Sequence, residues 1–310
     1  MSKTAFGNDQ AKIQKYRQFW NRDDVRRPLV GFTFIGWFPL NEFEACRSSK
    51  CVKYLTPDMI DPQIFMEDYT RLMREGEQVS DDLIRGACPM QVAVPFLPAM
   101  LGCPLRVLPE NVMGEEQLLS WDKALRVRLD HGNPWFAKYL EFAQFLVAES
   151  NGRFPVSHSP EIGPTDLHAM LRGHNQSILD LKEEPEKSAE ILWQMGNIFV
   201  EITQELWKRV PLFHGGYFDA QYSLWSPGPI IRVQEDATAV YSPQLYRKLV
   251  QPVDRMLAGQ FANSFIHLHS TSMFLLDAFL EIQEIQCYEI NNDVCGPPLK
   301  KMVPYFQRVQ

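Results

Sequence analysis

Ser264-Phe265-Ile266-His267-Leu268-His269 alternates polar and apolar positions, the pattern of a strand with two different faces. Side chains at i and i+2 of a strand point to the same side, so His267 and His269 face one way and Ile266 and Leu268 the other. The stretch is flanked by helical patterns. Ser242 followed by Pro243 is an N-cap with proline at the first helical position, leading a helix with apolar residues Leu245, Leu249, Val253 and Met256. Pro252 is expected to kink or interrupt that helix. A second helix is predicted over 273–281 and a further strand over 285–290, followed by Asn291-Asn292-Asp293. A buried strand between two helices, with another strand after the second, is the βαβ pattern of a parallel sheet.

Further from this stretch the same alternation recurs. Ile191, Leu192, Met195, Ile198, Phe199, Ile202 and Leu206 form one apolar stripe on a helix opening at Glu184-Pro185. Trp135, Tyr139, Phe142, Ala143, Leu146 and Val147 form another, and 60–73 a third. Strands are expected at 28–36 and 153–159, with a turn at Glu161-Ile162-Gly163-Pro164-Thr165. The end, 299–310, reads as a helix. Six or seven βα units result, so the expected fold is α/β, a (β/α)8 TIM-type barrel incomplete at its C-terminus. Residues 1–310 are read as one barrel domain, with 1–27 as an N-terminal helical extension.

The chain has 310 residues, 45% hydrophobic and 22% charged, ample for a large core and unlike a disordered protein. Lys+Arg 31 against Asp+Glu 38 gives a net charge of −7, which lacks the basic field behind nucleic-acid affinity. No stretch of 18 apolar residues is present, so no membrane span is expected. The six cysteines form no CxxC pair, and the polar N-terminal stretch lacks the form of a signal peptide. Reduced thiols and a cytoplasmic location are the corresponding expectation.

Barrel enzymes carry their chemistry at the C-terminal ends of strands. There the candidates are His267 and His269, spaced to hold one divalent metal or, alternatively, to hydrogen-bond in a polar barrel mouth. Asp236, near the end of the strand preceding Ser242-Pro243, can orient a histidine or carry a proton. Trp37, Ser159, Asn291 and Asp293 fall in loops after strands. Tyr217 and Trp225 belong to a long aromatic loop between Gly215 and Pro229, suited to a flat ligand or to packing. No phosphate loop, GxSxG elbow or HExxH is present.

Several of these pieces, in order, resemble the uroporphyrinogen decarboxylase superfamily. They are Gly163-Pro164 with the stretch from Leu179 to Pro185 and its long helix, then Asp236 with Ser242-Pro243 and Pro252. The histidine strand and Leu275-Leu276-Asp277 complete the set, and Gly102-Cys103-Pro104 is similar to a stretch found in uncharacterised members. The resemblance covers roughly residue 150 onward and implies a (β/α)8 barrel. Two branches follow from it, porphyrinogen decarboxylases and zinc-dependent methyltransferases that work with corrinoid proteins.

Two departures separate the branches. The decarboxylases carry an arginine-rich stretch that binds substrate carboxylates, where this chain reads Gly31-Phe32-Thr33-Phe34-Ile35-Gly36-Trp37. The methyltransferases carry a His-x-Cys strand; here either His267 matches the histidine and His269 stands at the cysteine, or a shifted alignment puts His269 first and Thr271 third. The sequence given ends before the region of that branch's second cysteine. The resemblance therefore implies methyl transfer to or from a corrinoid, with zinc at His267 and His269 and Asp236 in support. The implied partners are a small-molecule methyl donor or acceptor and a corrinoid protein. Either a homodimer covering the open side of an incomplete barrel or a poorly ordered terminus is expected. Porphyrinogen-type decarboxylation and a non-catalytic barrel binding a tetrapyrrole or a partner are the alternatives.

Overall fold

The computed structural model describes residues 5–24, 27–33, 40, 42–90 and 96–310. The chain is mixed α/β and divides into two compact units. The first comprises Met1–Glu115, Leu129–Glu161 and Thr203–Pro229; the second comprises Glu116–Arg128, Ile162–Ile202 and Ile230–Gln310.

In the first unit, strands β1 (Tyr54–Leu55), β2 (Leu105–Val107) and β3 (Val112–Gly114) make a small antiparallel sheet. The expected helices are present as Pro62–Glu77 and Pro134–Ser150, each led by a side-chain cap (Asp61, Asn133) and a first-turn proline. The helix Gln10–Asn21 starts where Asp9 accepts the Lys12 N–H, and it ends at Arg22 in the left-handed conformation. Its Ile13 and Tyr16 pack with Ile84, Cys88, Phe213, Phe218, Ala220 and Trp225.

The stretch expected to be a long aromatic loop is instead an antiparallel hairpin, β4 (Tyr217–Asp219) with β5 (Leu224–Ser226). Gly216 explains it: a Cβ there would lie 2.0 Å from the Ser226 carbonyl oxygen, so only glycine lets the two segments meet. The strand expected over 153–159 reduces to one parallel bridge, Ala87 with Val156. Residues 28–33 form no strand, because the N–H groups of Val30 and Phe32 donate to the carboxylates of Asp82 and Asp81 instead. Residues 34–36 lie outside the described residues.

The second unit holds the expected parallel sheet, in the order β6 (Ile230–Gln234), β7 (Asn263–His269) and β8 (Cys287–Asn291). The register sets Gln234 and Glu289 on either side of His267, and Asn291 beside His269. Between β6 and β7 the Ser242 hydroxyl caps the helix Pro243–Leu249. Pro252 then interrupts the run as expected, standing in the first turn of a separate helix, Gln251–Gly259. The segment expected to be a helix over 273–281 is a 3-10 turn, Ser270–Leu275, continuing into the short helix Leu276–Leu280. A terminal helix spans Leu299–Val309.

The long helix Pro185–Trp207 begins at the expected proline, and all seven residues of its stripe are buried. Each such side chain contributes about 1.5–3 kcal/mol on burial. Gly196 lets this helix press against Val253 and Met256 of Gln251–Gly259, since a Cβ there would fall 2.8 Å from Val253. Among the described residues, no helix is long and apolar enough to cross a membrane. The parallel sheet of the second unit has three strands, fewer than the expected barrel needs.

An ion pair ties the helices Pro164–Arg172 and His174–Glu183 together. Arg172 reaches both oxygens of buried Asp180 at 2.7 and 3.0 Å, and Gln176 adds a bond at 2.9 Å. Burial works to raise the Asp180 carboxyl, but His168, Arg172 and Gln176 outweigh it and hold it well below the usual carboxylate range. A depressed folded value stabilises the fold above the unfolded value near 3.8, and that contribution disappears as pH falls through the folded one. Asp180→Asn is expected to cost about 2 kcal/mol at neutral pH. Urea titrations of both proteins at pH 7 and pH 3 check this; the gap between them should narrow at the acid end.

Candidate functional site

The C-terminal ends of β6, β7 and β8 bring the site together within the second unit. His267 and His269 share one face of β7, with ring centroids 4.8 Å apart and planes at 77°. His267 is 3% exposed and His269 half-buried. Strand β8 then supplies one residue the sequence reading missed, Glu289, and leads into one it expected, Asp293. Glu289, in register with His267, accepts a hydrogen bond from its Nδ1. Asp293, just past β8, takes Nδ1 of His269 at 2.7 Å.

Asp293 is itself held. Its carboxylate accepts bonds from the Ser270 hydroxyl at 2.9 Å and the Asn291 amide at 2.7 Å, and its N–H donates to Ser270 Oγ. Gly296 closes over the same serine, where a Cβ would sit 2.0 Å from Oγ.

On the other side, His269 Nε2 lies 3.5 Å from Asp236 Oδ1, and Gln234 Nε2 donates to Asp236 Oδ2 at 2.8 Å. Asp236 opens a 3-10 turn, Asp236–Val240, two residues beyond β6. Its position is set by a reciprocal pair of caps. Asp166, in the first turn of Pro164–Arg172, accepts the N–H groups of Asp236 and Ala237 at 3.0 and 3.1 Å. Glu235 in return accepts the Thr165 N–H at 2.9 Å and the Thr165 hydroxyl. Gly163 is indispensable to this approach: a Cβ there would fall 1.6 Å from the Gln234 carbonyl oxygen.

The electrostatics follow from these contacts. The Asp236 bond, opposed by burial and reinforced by Asp293, pushes His269 up to about 9. Burial raises Asp236, but its bond from His269, the nearby His267 and the Gln234 amide outweigh that and hold the carboxyl below its ordinary value. Asp293 is lowered in the same way, against burial, by His269 and Ser270. His269 thus has a carboxylate at each ring nitrogen, Asp293 at Nδ1 and Asp236 at Nε2. Behind it, burial and the neighbouring Asp254 and Asp166 carboxyls push Glu235 well above its usual range. Burial takes Asp254 up to about 7 while the Tyr246 hydroxyl donates to it at 2.5 Å.

One donor atom from each of Asp236, His267 and His269 lies within 4.8 Å of the others, which is a spacing from which the three can converge on a metal. The structure also brings Asn291 and Asp293, both expected there, beside His269. Others expected there are placed in the first unit. Ser159 is buried, with its hydroxyl bonded to the Pro89 carbonyl. Tyr217 is half-buried against Trp207, ring centroids 4.3 Å apart. Trp225 is corrected from ligand-lining to core: it is fully buried, and its indole N–H donates to the Phe213 carbonyl at 2.8 Å. Trp37 lies outside the described residues.

The chain shares its fold with a methyltransferase from Methanosarcina mazei. That solved structure aligns with a TM-score of 0.55 at 12% identity, covering 89% of this chain and 75% of the other. At that identity the likeness speaks for the fold alone. No family model matches the sequence, and no curated protein matches it. The missed residue had one faint signal: Glu289 is a charged residue inside the expected strand 285–290, where a strand facing only hydrophobic neighbours has no use for it.

Proposed function

We propose that the chain is an enzyme of methyltransferase type in the uroporphyrinogen decarboxylase superfamily, moving a methyl group to or from a corrinoid. The observation that carries this reading is the His267–His269–Asp236 cluster at the ends of parallel strands, in a fold shared with a methyltransferase. The barrel belongs to the same proposal, with β6–β7–β8 as its supporting part. So do the small-molecule methyl donor or acceptor and the corrinoid protein as partner.

The donor set suits zinc, since two imidazoles and a carboxylate are ordinary ligands for it. His267 and His269 would hold the ion, which when bound lowers the pKa of a thiol so that the thiolate is the nucleophile at neutral pH. The chain's own residues do the positioning. Glu289 and Asp293 fix the ring orientations of His267 and His269 through their Nδ1 atoms. Asp236, 3.5 Å from His269 Nε2, would offset the positive charge of the ion.

The test is methyl transfer between a methylated corrinoid and a small thiol, followed by the visible absorbance of the corrinoid. Turnover is expected for the unaltered chain, and His267→Ala is expected to lower it by about 100-fold or more. Absence of turnover with a panel of thiols, or an unchanged rate in His267→Ala, contradicts the proposal.

A further inference from the structure

We infer that Asp236 is the third protein ligand of a divalent-metal site with His267 and His269, an N,N,O set without thiolate, and that Asp166 is its positioning residue. The inference rests on reading this cluster as a metal site, and not on methyl transfer. It departs from the His-x-Cys chemistry to which the sequence is similar, because the third position of the strand is His269 and the carboxylate comes from a different element.

Geometry carries the assignment. Ligand atoms held ~2.1 Å from one ion in a tetrahedron stand roughly 3.4 Å apart. His269 Nε2 and Asp236 Oδ1 are already 3.5 Å apart. The three lie within 4.8 Å of one another, so the widest separation has to close by up to roughly 1.4 Å to reach that spacing. Both Nδ1 atoms are bonded to carboxylates, so Nε2 of each ring is the nitrogen that would bind an ion, the arrangement that outer carboxylates impose on metal-bound histidines. A second observation points the same way. Gln234 uses Nε2 on Asp236 while its Oε1 is buried without a hydrogen-bond partner, an acceptor that a metal-bound water would satisfy.

The thiols stand apart. Cys287 is on β8 in register with Phe265, one step back along the sheet from the His267–Glu289 pair, and Cys295 is exposed. Burial pushes the Cys287 thiol up to about 12, so it is protonated at neutral pH. Two imidazoles and one carboxylate with open positions suit borderline first-row divalent ions, among them Zn²⁺, Co²⁺ and Fe²⁺. Asp166 matters because it holds the two N–H groups that start the Asp236 turn, and so sets where the carboxylate stands.

Cobalt(II) tests this directly, because its visible spectrum reports its ligands. The full chain, stripped with chelator, is titrated with Co²⁺ alone. Ligand-field bands should grow in without a sulfur-to-cobalt charge-transfer band in the near ultraviolet. Asp236→Ala and the isosteric Asp236→Asn should each weaken binding by about 100-fold, and Asp166→Ala by about 10- to 100-fold. Asp166→Asn, which keeps one acceptor oxygen, should recover part of that loss. Cys287→Ser and Cys295→Ser should bind as the unaltered chain does. Unchanged affinity in Asp236→Asn, a charge-transfer band abolished by either serine variant, or no Co²⁺ binding overturns the inference. An N,N,O spectrum without methyl transfer leaves it standing while removing the function proposed above. Turnover by a chain whose Co²⁺ affinity ignores Asp236 does the reverse.

Discussion

Gly163→Ala is expected to cost about 3 kcal/mol or more, because the added methyl has nowhere to go. Its Cβ would lie 1.6 Å from the Gln234 carbonyl oxygen and 3.0 Å from Glu235 Oε1. The first of these is backbone at the end of β6, which cannot rotate aside as a side-chain tip does. The helix Pro164–Arg172 therefore has to back away from the strand, and the bonds from Thr165 to Glu235 and from Asp236 to Asp166 lengthen with it. Gly152→Ala is the contrasting control. There φ is +74° and nothing lies within 4 Å, so only the left-handed backbone is penalised, by about 1–2 kcal/mol. Urea midpoints of the two variants separate the cases; equal midpoints would show that the close approach at Gly163 does not exist.

Trp225→Ala should destabilise the chain by about 3–5 kcal/mol, as removal of a large buried aromatic does. The ring fills the core made with Ile13, Tyr16 and Phe218, and Arg17 lies over it with the guanidinium 4.9 Å from its centroid. Its carbonyl also takes the Trp20 indole N–H at 2.7 Å, so the hairpin and the first helix are joined on both sides of this residue. Thermal melting together with ligand titration distinguishes core from binding surface. A packing role lowers the melting temperature sharply; a ligand-lining role would leave it in place and weaken binding instead.

What the sequence made legible was local. The i, i+2 spacing of His267 and His269 needs only strand geometry, and the rings do share a face. Ser242 as cap, Pro252 as interruption and the stripe on Pro185–Trp207 rest on neighbours within a turn or two. What escaped depends on pairing across the chain. Glu289 meets His267 because β8 docks in one particular register, 22 residues further on. The aromatic stretch around Tyr217 and Trp225 pairs with itself because Gly216 admits Ser226, a contact that no periodicity announces. The apolar run at 28–33 looked like a strand, yet Asp81 and Asp82 had already claimed its N–H groups. In each case the deciding partner was a specific group outside the local run, which hydrophobic pattern does not encode.

The mutual caps between Asp166 and Glu235 carry a dynamic consequence. Each segment satisfies the other's orphaned amides, so neither can open while the other stays shut. The amide hydrogens of Thr165, Asp236 and Ala237 should then exchange with solvent deuterium at one shared rate, as a single breathing unit. A carboxylate anchored in that way is denied the independent wandering usual for a residue just beyond a strand.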